Sequence, residues 1–336
     1  MRKFLLSLLV IFALFLTSCS LGSSLTTGVG FVRINQNDGI NKEILNTVKN
    51  LDNQVLDSIK NNNPDKILEI GTENFKQNSE NNKEMFGDIS KYVKDKSFDY
   101  QGRYYCKINT IGKYNFSIET SKSDPFYIHL DAIGEEMFVS LFKSNSKSDD
   151  YMLALIYVKD QGKWKLNTLH CGAYSYDGMN AIDLYEKAKS LDNQGYKGPA
   201  ALYLDLCNTV LRPAPFLQYK RESEINDYSK QLSEYLKNNS HFPEQLKNFN
   251  NIKIYGFYVK YVNGSGVVPF IKYVTNTELG NKEAIEKEAN DINSDVIIQY
   301  PGMKENFNIF MYEAYSELPV DSKITYKCYR TAVKQN

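Results

Sequence analysis

Apolar residues change their spacing several times along this chain, and each change marks an element. Phe4 to Leu16 is an apolar run interrupted only by Ser7. Further on, Ile40, Ile44, Leu45, Val48, Leu51, Val55, Leu56 and Ile59 recur at steps of three and four, which predicts an amphipathic helix ended by Asn61-Asn62-Asn63. Pro64 suits the first turn of a second helix capped by Asn63, with Ile67, Leu68 and Phe75 on its apolar side. A shorter helix is expected from Lys83 to Val93. The period then drops to two, predicting strands over Phe98–Ile108, Tyr114–Thr120, Phe126–Lys143 with a bend near Gly134, Tyr151–Lys159 and Lys163–Cys171. Lys159-Asp160-Gln161-Gly162 supplies the last hairpin turn.

Helical spacing returns from Met179 to about Phe249. A hairpin then follows, Ile252–Val262 and Val267–Val274 around Asn263-Gly264-Ser265-Gly266, and after it a helix over Asn281–Ile292 and strands over Asn308–Tyr315 and Lys323–Thr331. The expected architecture is α+β. Helices pack on a curved antiparallel sheet over 39–178, a helical extension occupies 179–249, and a C-terminal antiparallel α+β module occupies 250–336.

The apolar run is preceded by Arg2 and Lys3 and is too short to span a bilayer well, as expected of a secretory signal. It ends in Leu16-Thr17-Ser18-Cys19, which resembles the lipobox of bacterial lipoproteins. The resemblance implies that 1–18 is a signal peptide and that Cys19 is acylated and becomes the mature N-terminus. The protein would then be exported and held by lipid on the cell membrane or the outer membrane. Residues 19–38, rich in Ser, Thr, Gly and Asn, read as a flexible tether.

Helices followed by a strand meander, closing on Tyr151–Val158 and Gly162-Lys163-Trp164-Lys165-Leu166, resemble the nuclear transport factor 2-like (NTF2-like) superfamily of cone-shaped domains. That resemblance implies a sheet curled around an interior, with members that are enzymes and members that are not.

Charge narrows the function classes. Without the signal the chain carries 38 basic and 40 acidic side chains, and no basic cluster of the kind nucleic acid requires. Beyond Cys19, Cys106, Cys171, Cys207 and Cys328 permit up to two disulfides in an exported protein, or none. No spacing of Cys and His suggests a metal site, and no nucleotide fingerprint or other cofactor motif occurs.

Two sets of residues carry candidate chemistry. Tyr127, His129 and Asp131 alternate along one strand and therefore share a face, which offers a donor, a base and a carboxylate. The bland reading makes that face the solvated one. His170, at even spacing from Trp164, is the other candidate, lining an apolar pocket with it. The expectation that follows is a membrane-anchored envelope protein that binds a small ligand or an envelope protein without catalysis. The alternatives are an isomerase or dehydratase using the His/Asp pair, and a structural or assembly lipoprotein.

Overall fold

The computed structural model describes residues 32–335 except 78, 113–114, 121–125, 147, 240–241, 250–251 and 321–323. The signal segment, Cys19 and most of the tether lie outside the described residues. The chain divides into two units, 30–234 with 261–266, and 235–260 with 267–336.

The first unit opens with strand β1 (Val32–Gln36). The tether expected to reach Asp38 therefore ends sooner. Val32 and Ile34 alternate with Arg33 and Asn35, and their backbone groups pair with Ile108 and Cys106 of β2 (Ser97–Ile108). Helices α1 (Lys42–Lys60), α2 (Pro64–Glu69), α3 (Glu73–Gln77) and α4 (Ser79–Val93) follow. As expected, Asn63 caps α2, accepting from the Lys66 amide at 3.3 Å, with Pro64 in the first turn.

The segment predicted as one bent strand is two. It breaks over residues 132–135, giving β4 (Phe126–Asp131) and β5 (Glu136–Asn145). β5 joins the antiparallel sheet β1-β2-β5-β6-β7-β8, completed by β6 (Asp149–Asp160), β7 (Lys163–Tyr176) and β8 (Met179–Asn180). β4 instead lies between β3 (Asn115–Glu119) and a later strand, β9 (Leu217–Tyr219), in a separate three-stranded sheet. Between β8 and β9 run helices α5 (Ala181–Asn193) and α6 (Lys197–Val210). A further helix, α7 (Glu222–Asn239), follows β9.

Both faces of the six-stranded sheet are buried. On one, Phe138, Leu153, Leu155 and Leu166 pack with Val55, Ile59 and Phe86 from the helices. On the other, Cys106, Val139 and Ala154 are covered completely. There the chain after α6 approaches so closely that a Cβ on Gly172 would stand 2.3 Å from the Pro213 carbonyl oxygen. The Phe126 ring of β4 lies 6.4 Å from that of Tyr174 in β7.

The second unit contains β10 (Glu244–Gln245), β11 (Lys253–Val262) and β12 (Gly266–Val274), then α8 (Lys282–Gln299), α9 (Met303–Asn306), β13 (Ile309–Tyr315) and β14 (Cys328–Lys334). The strands lie in the order β10-β11-β12-β13-β14. The module is not wholly antiparallel as expected, because β12 and β13 pair in parallel, Phe270 opposite Met311. α8 runs seven residues past its predicted end and acts as the crossover that a parallel pair requires.

Candidate functional site

Three places in the first unit hold chemistry or an opening. The most deeply buried is centred on Asp52, one turn from Val48 and Val55 on the apolar stripe of α1. Arg103 of β2 donates to its Oδ2 from Nε at 3.0 Å and Nη2 at 2.8 Å. Ser140 adds a bond at 3.1 Å, and the Tyr157 hydroxyl donates to Oδ1 at 3.0 Å. The Tyr100 ring lies 4.5 Å from the guanidinium carbon. Burial raises the carboxyl of Asp52, with Arg103 pulling the other way. Four donors from the sheet meet the carboxylate, three at Oδ2 and one at Oδ1, so the buried group clamps α1 to β2, β5 and β6. Sequence reading missed this cluster. Its signal was an Asp inside an otherwise apolar stripe.

The second place is the row from β4. Tyr127, His129 and Asp131 share a face as predicted, and Ile128 and Leu130 point inward and are buried. That face belongs to the three-stranded sheet, outside the curled one. His129 Nε2–H donates to Gln218 Oε1 at 2.7 Å, and Nδ1 accepts from the Ser117 hydroxyl at 2.8 Å. The amide oxygen of Gln218 can only accept, which assigns the proton to Nε2. Both ring nitrogens are thus engaged by neighbouring strands. Asp131 lies exposed at the strand end, and the partners of the His129 ring are Ser117 and Gln218 in its place. Tyr127 lies beneath Lys220, whose ammonium is 5.6 Å from the ring.

His170 is corrected outright. The expected shared face with Trp164 is lost at a β-bulge, where Ile156 pairs with Thr168 but Tyr157 pairs with Leu166, leaving Asn167 extra. One extra residue inverts every later side chain. Leu169 and Cys171 therefore join Trp164 and Leu166 against the helices, and His170, opposite Ala154, turns to the other face. Burial lowers its ring below the ordinary imidazole range.

The third place is open. A depression of about 520 Å³ lies between α4 and the ends of β6 and β7, lined by Met85, Ile89, Tyr92, Tyr151, Cys171 and Gly172, with Glu84 and Asp88 also contributing. Tyr92 is 62% exposed, yet its ring stacks on Tyr151 at 5.9 Å and 28°. Lys96, paired with Asp149 at 2.8 Å, places its ammonium 5.1 Å from the centre of the Tyr151 ring. Burial pushes the Cys171 thiol up to about 12, so it contributes apolar surface and not a nucleophile. A second depression, about 650 Å³, borders Trp164, but Asn41, Thr47, Asn50, Gln54, Lys159 and Lys163 make much of its wall polar.

All four described cysteines are free thiols. Among the described residues no group of three His, Cys, Asp or Glu could hold a metal ion, and no helix is long and apolar enough to cross a membrane. No family model, no curated protein and no solved structure matches the chain.

Proposed function

We propose that this chain is an exported lipoprotein, anchored through acylated Cys19, that works by binding and not by catalysis. Its ligand presents a flat apolar or aromatic surface to the groove between α4 and the β6–β7 ends. The observation that carries this reading is the Tyr92–Tyr151 stack, an exposed ring held in place over an apolar floor of Met85 and Ile89. Ordered tyrosines of this kind give contact area with little entropy left to lose on binding. The finer fold reading belongs to the same proposal: helices before a curled sheet, closed by the β6–β7 hairpin, follow the NTF2-like order.

The test is native mass spectrometry of the mature chain purified gently from its host envelope. A retained small molecule that is lost in Tyr92→Ala, with the circular dichroism spectrum unchanged, supports the groove as the site. A bare mass in the parent protein, together with no gain in Tm from any aromatic or acyl compound in a screen, sinks it.

A further inference from the structure

One face of the second unit's sheet carries more cations than carboxylates, with Lys260, Lys272 and Arg330 around the single buried Glu313. Lys272 of β12, Glu313 of β13 and Arg330 of β14 stand in register across three strands, so their side chains share a face. Tyr258 of β11 joins them, its ring stacked on Phe270 at 4.7 Å and its hydroxyl donating to Glu313 at 2.8 Å. Two ammonium groups sit near this one ring: Lys272 Nζ is 4.8 Å from its centroid and Lys260 Nζ is 5.4 Å away.

Glu313 is 1% exposed and already taken. Arg330 Nε donates to it at 2.7 Å and Tyr315 at 3.2 Å, in addition to Tyr258. Its charge is matched by Arg330. Neither Lys260 nor Lys272 makes an ion pair within 4.0 Å among the described residues. Lys334 adds a fourth cation on the same face, in register with Ile309 and therefore four residues along β14 from the Arg330 row. Arg330 keeps 58% of its side chain exposed and bonds Glu313 through Nε.

Two ammonium groups around one ring repel each other, and an anion bound between them relieves that repulsion. The aromatic floor favours two cations over its face but gives no counter-charge. We propose that Lys260, Lys272 and Arg330 form a binding site for a phosphate-bearing group, with Tyr258 and Glu313 as the scaffold that holds Arg330 in place. Two lysines supply point charges to the phosphate oxygens, and the free edge of the guanidinium supplies paired N–H donors. Such a group reaches the site either as a soluble phosphate or as the headgroup of an anionic lipid.

Both sources are tested on the full-length chain at fixed ionic strength. One arm titrates inorganic phosphate against a chloride control by calorimetry. The other sediments the protein with vesicles of phosphatidylcholine alone or with about a third phosphatidylglycerol, so that charge-dependent binding is read as the difference. The expected result is binding in at least one arm, weakened at least tenfold in Lys260→Gln/Lys272→Gln and retained in Lys260→Arg/Lys272→Arg, with identical far-ultraviolet spectra. Uptake of phosphate identifies a soluble ligand, and selective sedimentation with phosphatidylglycerol identifies a headgroup. Absence of binding in both arms overturns the proposal, as does binding that the double Gln variant leaves unchanged.

Discussion

Asp52 shows how much one side chain can commit. Its side chain is fully buried and Arg103 is 11% exposed, so removing one partner strands a charge in the core. Asp52→Ala is expected to cost about 3–5 kcal/mol in urea unfolding, whereas Asp52→Leu combined with Arg103→Met recovers most of that loss. If the single variant unfolds at the parental midpoint, the clamp contributes nothing. A second residue reports through pH. Glu224 accepts from Arg221 and from the buried Tyr185 hydroxyl, and these two bonds, Arg221 first, lower its carboxyl to about 2. A depressed carboxyl stabilises the fold above its unfolded value of about 4.3 and loses that contribution as pH falls toward 2. Carbon-detected NMR titration of Glu224 should therefore find its midpoint near 2 in the parent, and Arg221→Ala should move it up toward the ordinary value.

At the level of elements, the pattern of apolar positions located most helices and strands but not their partners. Period three-to-four spacing marked α1 because its buried positions, Val48, Val55 and Ile59, sit on one stripe. The same spacing hid Asp52, whose role depends on Arg103, 51 residues away. In β7 the alternation is read correctly only as far as Leu166. The bulge at Asn167 has no marker in the sequence, because the extra residue is accommodated by pairing with β6 and not by any local preference. Gly172 is similar: its small size matters only because the Pro213 backbone comes to rest against it. Gly172→Ala is expected to cost about 1–3 kcal/mol by overpacking, since the obstructing atom belongs to the backbone and cannot rotate away. Thermal unfolding of that variant at the parental Tm would show that Pro213 yields freely.

For the whole molecule, the chain without residues 1–18 is close to neutral, at 38 basic and 40 acidic side chains, so the membrane attachment proposed above would rest mainly on the N-terminal segment. Acyl chains contribute about 0.8 kcal/mol per buried methylene, and two or more anchor a protein stably. Cys19→Ala should accordingly leave an unprocessed chain with no acyl label after growth on a radiolabelled fatty acid. Equal labelling and processing in parent and variant would remove Cys19 from that role. The two units each bury their own apolar residues, Val55 and Leu155 in one, Ile285 and Phe310 in the other. Near-neutral overall charge also conceals local imbalance: the excess of cations around Tyr258, with Glu313 alone among them, is invisible in composition.

What the amino-acid order determined by itself is whatever depends on neighbours within about ten positions: the signal-like start, the lipobox pattern, the cap at Asn63, the β6–β7 turn and the α+β class. These rest on local sterics, backbone hydrogen bonding and side-chain period, which a short window contains. Tertiary structure alone decided the rest. It sent β4 and β5 to different sheets, turned His170 away from Trp164, made β12 and β13 parallel, and set Tyr92 on Tyr151. Each of these outcomes is a contact between distant segments. Its energy comes from burying surface and satisfying polar groups against a partner that no local window includes.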